Sequence, residues 1–306
     1  MKKNLFANLL FMGLLLMNTS CAKAQKSYST DNPAYVIYND NGRKVSYSEM
    51  LRSIAQADVS LFGELHNDPV SHWLELSILK DLHSMKGEKL VVGAEMWESD
   101  NQLVLDEFLS DEQMDMNTYT ENSVLWKNFA TDYRPLLSYA KENNLRFVAT
   151  NIPRRYARMV SQRGDGVLDS LSSDAKELIA PLPIHIDLKE EFYEYIADVF
   201  KETRRTPMKG SSLANLVKAQ AVKDATMAWF IVNNLKDNGH FFHFNGELHS
   251  AFRSAIAYYI EHYEPSVSFR TISVIKKSDV MDFSSGESRA DFNIVVPANM
   301  TMTYVD

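Results

Sequence analysis

Cysteine is nearly missing: Cys21 is the one thiol in 306 residues. Intramolecular disulfides, Cys-rich zinc sites and cysteine-ligated iron–sulfur clusters are thereby excluded. Positive charge is short as well, with 32 Lys and Arg against 40 Asp and Glu and a net charge of −8. Binding nucleic acid in general draws on a basic surface, so no nucleic-acid partner is expected. The apolar run from Leu5 to Met17 is too short to span a bilayer, and no other stretch is apolar enough. Familiar catalytic signatures are lacking: no Gly-x-Ser-x-Gly elbow, phosphate loop, complete Gly-x-Gly-x-x-Gly or His-Glu-x-x-His helix occurs. Gly164-Asp165-Gly166 has no third glycine and follows no strand, so it reads as a loop. What remains is ordinary globular material, 45% hydrophobic and 24% charged, enough for one large core without metal or disulfide staples.

The first segment is an address. Lys2 and Lys3 precede the apolar run, as in a secretory signal. Two cleavage readings compete. Ser20-Cys21 fits a lipoprotein signal covering residues 1–21, with Cys21 as the acylated anchor, although Asn18 stands where such signals usually carry Leu. Ala22-Lys23-Ala24 fits an ordinary site cut after residue 24, which leaves a soluble periplasmic chain. Either way the mature protein is expected outside the cytoplasm.

The mature chain reads as a single α/β domain over residues 34–300, interrupted by a helical insertion at 164–210. Tyr35 to Val45 alternates about Asn41-Gly42, a hairpin signal. Ser46-x-x-Glu49 reads as a capping box. Asp68-Pro69 reads as an N-cap followed by Pro at the first helical position, opening a helix whose stripe is Val70, Leu74, Ile78 and Leu82. Strands fit Val59 to Phe62, Lys89 to Val92, Leu145 to Ala149, Phe241 to Phe244, Phe269 to Ile275 and Phe292 to Val296. Helices fit Gln102 to Leu109, Pro135 to Glu142, Leu213 to Leu235 and Phe252 to Ile260. This alternation predicts a largely parallel sheet of six or so strands, covered on both faces by helices. The insertion, with helices at Asp174 to Ile179 and Lys189 to Lys201, is expected to lie as a lid over the sheet's carboxyl edge.

One tetrapeptide occurs twice, Gly63-Glu64-Leu65-His66 and Gly246-Glu247-Leu248-His249, each between an apolar strand and a helix. Ligands of open α/β sheets bind beyond the carboxyl ends of the strands, so each copy brings a carboxylate and an imidazole to that edge. Glycine there suits a sharp turn. Glu95, Glu98, Asn151, Arg154 and Asn245 follow strands onto the same edge. Gln220 and Asp224 lie one turn apart on an otherwise core-facing helix row and need partners. A lone Glu or His at a strand end is commonly a cap or a solvated residue. Two copies in matching settings point instead to one polar cluster. His72 is near enough to join it, whereas His83 and His240 have weaker claims.

Leu61-Phe62-Gly63-Glu64-Leu65-His66-Asn67-Asp68, with Gly93-Ala94-Glu95-Met96 and the second Gly-Glu-Leu-His, resembles the ChaN family of haem-binding uptake lipoproteins in the Tiki/TraB/erythromycin-esterase superfamily. Asn151-Ile152-Pro153-Arg154, Gln220-Ala221 with Asp224-Ala225 and Met227-Ala228, and Ala290-Asp291-Phe292 fit in the same order, from Ala34 to Val296. The resemblance implies an iron-regulated envelope lipoprotein, of the outer membrane, that binds haem through a tyrosine. It also implies two subunits paired around stacked haems and an outer-membrane haem or iron transporter as partner.

The residues suggest a candidate ligand. Tyr156 stands among Arg154, Arg155 and Arg158, and cations favour loss of a phenolic proton while offering partners to propionates. A solvated basic helix start explains the same residues. Tyr193, Tyr195, His185 and Met208 are reserve ligands. The alternative function is hydrolysis, with Glu64, His66, Glu95, Glu247 and His249 as acid–base groups, or with a divalent metal on Glu64, His66, Glu247 and His249. A third reading is an interaction module whose strand-end residues are only hydrogen-bonded.

Overall fold

Asn41-Gly42 does close a hairpin. β1 (Val36–Asn39) and β2 (Lys44–Val45) run antiparallel with Ile37 opposite Val45, and Gly42 takes a φ of 75°. Ser46 then caps α1 (Tyr47–Gln56) by accepting from the Glu49 amide. The Glu49 carboxylate pairs with Arg43 at 2.5 Å, a stronger partner than one backbone amide, so one arm of the capping box forms.

Strands and helices alternate from there: β3 (Val59–Glu64), α2 (Pro69–Lys86), β4 (Leu90–Glu98), α3 (Gln102–Ser110), α4 (Met116–Glu121), α5 (Arg134–Glu142) and β5 (Arg146–Asn151). α6 (Arg154–Arg163), α7 (Ser173–Lys176), α8 (Glu191–Glu202) and α9 (Leu213–Asn234) follow. β6 (His240–Gly246), α10 (Ile256–Tyr263), β7 (Phe269–Lys277) and β8 (Phe292–Pro297) complete the fold. The computed structural model describes residues 31–111, 113–188, 191–202 and 211–305. The signal segment with Cys21, and Met208, lie outside the described residues. From Pro33 onward the chain makes one unit.

The sheet order is β2-β1-β8-β7-β3-β6-β4-β5. The six strands from β8 to β5 are parallel, and β1 joins β8 antiparallel with Val36 opposite Val295. The count reaches eight because the hairpin is annexed to the sheet edge. Alternate residues feed two cores. Phe62, Val92 and Phe242 face a core shared with α1, α2, α3 and α5; Leu61, Val91 and Phe241 face one shared with α9 and α10. Both faces are covered, which is why these strands are continuous apolar runs. Each fully buried side chain of this kind contributes roughly 1.5–3 kcal/mol.

Two expectations shift. The helix expected from Phe252 begins at Ile256, because Phe252, Arg253 and Ala255 take φ of 57°, 57° and 55°. The Phe252 amide donates to the Arg289 carbonyl at 2.6 Å, which ties this segment to the loop before β8. The insertion also divides. Leu168 and Ile179 pack on α6 and α9 beside Ile152, Val160 and Val222, while among the insertion's described residues α8 alone reaches the cleft beyond the strand ends. Among the described residues, no helix is long and apolar enough to cross a membrane.

Candidate functional site

β3 and β6 are parallel neighbours, and they place the two tetrapeptides side by side but one residue out of step. Gly63 lies opposite Asn245, and Glu64 opposite Gly246. The first copy therefore uses its glutamate as the last strand residue. The second ends its strand at the glycine and enters a tight turn at Glu247–His249. Neither glycine has a positive φ; both are needed for close approach. A Cβ on Gly63 would lie 3.1 Å from Glu247 Cα, and one on Gly246 only 2.7 Å from His66 Cε1. Each copy leaves room for the other, which corrects the sharp-turn expectation.

The first copy opens outward. Glu64 is buried, and its Oε1 accepts from Tyr133 Oη at 2.6 Å and lies 2.7 Å from His66 Nδ1. The His66 side chain is 42% exposed and rests edge-on against Trp126. Burial disfavours charge on His66, but the Glu64 hydrogen bond, with the charges of Glu64 and Glu95, raises its pKa overall. Burial pushes the Glu64 carboxyl up, and hydrogen bonds from His66 and Glu75 with the charge of His72 more than reverse this. Behind Glu64, His72 and Glu75 project from α2, and Asp132 and Tyr133 come from a π-helical turn at Phe129–Tyr133.

The second copy is clamped. His249 is 5% exposed; its Nε2 lies 3.1 Å from Glu95, its Nδ1 is held by Asp224, and the Gln220 amide lies 2.9 Å from Nε2. Burial opposes charge on this imidazole, but Glu95 and Asp224 outweigh it and push the pKa up to about 9. Burial lifts Asp224 to about 6, while His249 holds Glu95 well below the carboxylate range against its own desolvation. The proton thus belongs to the imidazole at neutral pH. Glu95 Oε2 also accepts from the Gly246 amide at 2.8 Å. Glu247 turns aside to Ser273 at 3.1 Å and Arg289 at 3.2 Å.

Above these groups lies a cleft of about 710 Å³. Leu65, Trp126, Val199, Phe200 and Leu248 give it an apolar wall; Lys223, Lys276 and Arg289 give it cations; and His66 and Tyr195 give it an imidazole and a phenol. A smaller lobe of about 540 Å³ shares His66, Trp126 and Lys223 and is bordered by Asn151, Arg154 and Tyr304. The volume suits an organic ligand.

Of the other expected site residues, Asn151 and Arg154 border the smaller lobe and most of the rest fall elsewhere. Tyr156 is 8% exposed and packs with Ile152, Val160 and Leu168 beneath the Arg155 guanidinium, so it borders neither lobe. Arg154 is paired with Glu98 and Arg155 with Asp100, while Arg158 is exposed on α6. Tyr156 is a core residue because α6 turns it inward with Ala157 and Val160. Tyr193, on α8, is buried in a cluster with Val217 and Ala221 of α9, and His185 stacks near His262. Asn245 braces the second turn through Ser250 and the Gly246 carbonyl, and Asn151 donates to the Glu95 carbonyl at 2.9 Å. His83 meets Tyr139 Oη at 2.9 Å, and His240 is buried against Ser60 and the Ala57 carbonyl. Glu64, His66, Glu247 and His249 border one cleft but do not converge on one point. Among the described residues, the three groups whose donor atoms come close enough together to hold one ion are Glu64, His72 and Glu75.

The sequence reading passed over Glu75, Asp132, Tyr133, Trp126 and Lys223. Glu75 carried a signal, since it shares a core-facing face of α2 with Leu79 and Leu82. Asp132 and Tyr133 carried none, because a π-turn has no apolar period of its own.

A family model described as "Haem-binding uptake, Tiki superfamily, ChaN" matches residues 50–260. Among solved structures, the chain is similar to ChaN of Campylobacter jejuni, titled for cofacial heme binding, at TM-score 0.68 and 18% identity, covering 87% of this chain and 98% of that one. Lesser likenesses include a Bacillus cereus protein (TM-score 0.43, 15% identity, 76% and 70% covered) and an erythromycin esterase in its open conformation (TM-score 0.43, 10% identity, 85% and 83% covered). No curated protein matches the chain.

Proposed function

The chain belongs to the ChaN family of haem-binding uptake proteins in the Tiki superfamily, and on that premise we propose that it holds haem in the cleft beyond the parallel strand ends. One observation carries the reading: apolar wall, cations, imidazole and phenol meet in a single cleft of about 710 Å³. Bound haem supplies an iron that takes an oxygen or nitrogen ligand, and two propionates that take cations. The residues fit both demands. Tyr195 and His66 border the cleft and would ligate the iron, and Lys223 and Lys276 would meet the propionates. Glu64 on the far nitrogen of His66 orients the ring and raises its basicity, as carboxylates do behind ligand histidines.

Adding ferric haem to the full chain and following the Soret band tests this. One equivalent is expected to bind, and Tyr195→Phe and His66→Ala are each expected to weaken binding by about tenfold or more. A wild-type spectrum equal to that of free haem overturns the proposal.

The reading extends to the cell envelope. Acylation at Cys21 anchors the protein to the outer membrane, two copies pair around their haems, and a transporter in that membrane exchanges haem with them. The basic start of the chain and its family membership support this. Palmitate labelling lost in Cys21→Ser, and haem-dependent dimerisation in size-exclusion chromatography, check the two parts separately.

One observation favours a second reading. A half-exposed imidazole with a buried carboxylate on its inner nitrogen is also how a general base is oriented, and His66 with Glu64 has that form. Hydrolysis of an ester in the cleft would then depend on His66. Turnover of nitrophenyl esters by the wild type, lost in His66→Ala, supports it, and an inert wild type dismisses it.

A further inference from the structure

Below the cleft, Glu64 faces two residues of α2 that no haem reading uses. His72 Nδ1 lies 3.0 Å from Glu75 Oε2 and 3.7 Å from Glu64 Oε2. One donor atom from each of the three residues lies within 4.8 Å of the others. Glu64 is 1% exposed, Glu75 0% and His72 7%. Glu64 Oε2 and Glu75 Oε1 are both buried and have no hydrogen-bond partner other than each other. Two carboxylates do not stay buried with bare oxygens unless a cation or a proton stands between them.

His72 fits either state. Its Nε2 lies 3.0 Å from the His66 carbonyl oxygen. With both nitrogens protonated the ring donates to Glu75 and to that carbonyl; loss of the Nδ1 proton to an entering cation turns that lone pair toward the two carboxylates. Ligand histidines are held in this way, with the remote N–H on a backbone carbonyl.

We infer that Glu64, His72 and Glu75 form a buried site for a divalent first-row cation such as zinc or manganese. Two oxygens and one imidazole nitrogen suit that class of ion. Glu64 then has two tasks. Oε2 faces the cation, while Oε1 holds Tyr133 and His66. The cation thereby stiffens the first tetrapeptide from below. The inference stands on these contacts and not on haem, so a failed Soret titration leaves it intact.

The test uses the full chain, stripped with a chelator and then titrated with zinc or manganese chloride. We expect one equivalent of metal by elemental analysis and a melting temperature raised by about 5 °C at a hundredfold excess over Kd. Glu75→Gln is expected to abolish the rise and His66→Ala to keep it. Should Glu75→Gln fail to fold, cobalt in the wild type takes its place, with visible ligand-field bands expected from nitrogen–oxygen ligation. No rise, an equal rise in Glu75→Gln, or featureless cobalt spectra overturn the inference. A shared proton between the carboxyls accounts for the first outcome, and surface binding for the second.

Discussion

The two copies of Gly-Glu-Leu-His share four residues and adjacent parallel strands, and they end in opposite chemical states. His66 presents a half-exposed ring to the cleft with one carboxylate behind it. His249 is buried with both nitrogens engaged, by Glu95 and Asp224. A one-residue register offset begins the divergence, since Glu64 sits opposite Gly246. The neighbours complete it: α9 supplies Gln220 and Asp224 to the second copy, whereas Trp126 supplies only an aromatic edge to the first. A repeated motif thus fixes where its groups stand, while surrounding elements decide which copy meets a ligand and which braces the floor beneath it.

The largest expected effect separates the copies by stability. His249→Ala strands Glu95 and Asp224 as buried, unpaired carboxylates, which costs about 3–5 kcal/mol. His66→Ala removes one half-exposed partner from Glu64, which keeps Tyr133, and costs about 1 kcal/mol. Urea unfolding measures both, and equal losses break the comparison. Gly246→Ala comes next. Its methyl group collides with the His66 ring, so a cost of about 1–3 kcal/mol is expected. Haem affinity should fall with it to the level of His66→Ala.

A pH profile sharpens the contrast with a smaller effect. The pKa of His249 rises on folding from about 6.5 to about 9. Its stabilisation is complete below pH 6.5 and is lost as pH rises through about 9. The wild-type melting temperature should decline by a few degrees across that window, and His249→Gln should flatten the decline. The smallest effect belongs to Tyr156→Phe. A ring packed away from the cleft predicts an unchanged Soret band and a stability change within about 1 kcal/mol; a shifted band would return Tyr156 to the site.

Much of this frame was legible in the residues. Apolar runs bounded by turn residues located the six parallel strands, and the repeated tetrapeptide located the edge where the polar groups gather. Asp224 was legible as an acid on a core-facing helix row that needed a partner. Tyr156 misled because three nearby arginines suggested an anion site, while the 3.6-residue period turned the ring inward and left Arg154 and Arg155 to Glu98 and Asp100. The roles of the two glycines were hidden, since close approach depends on strand register, which no local pattern reports. Asp132 and Tyr133 arrive through a π-turn and tertiary packing alone.

The central claim is that the imidazole of the first copy meets the ligand and the imidazole of the second does not. Ferric haem titrated into His66→Ala and His249→Gln, side by side with wild type, tests it most directly. The account predicts a shifted Soret band and affinity weakened by about tenfold or more in His66→Ala, with the wild-type spectrum and affinity retained in folded His249→Gln. Loss of binding in His249→Gln with His66→Ala unchanged would contradict it.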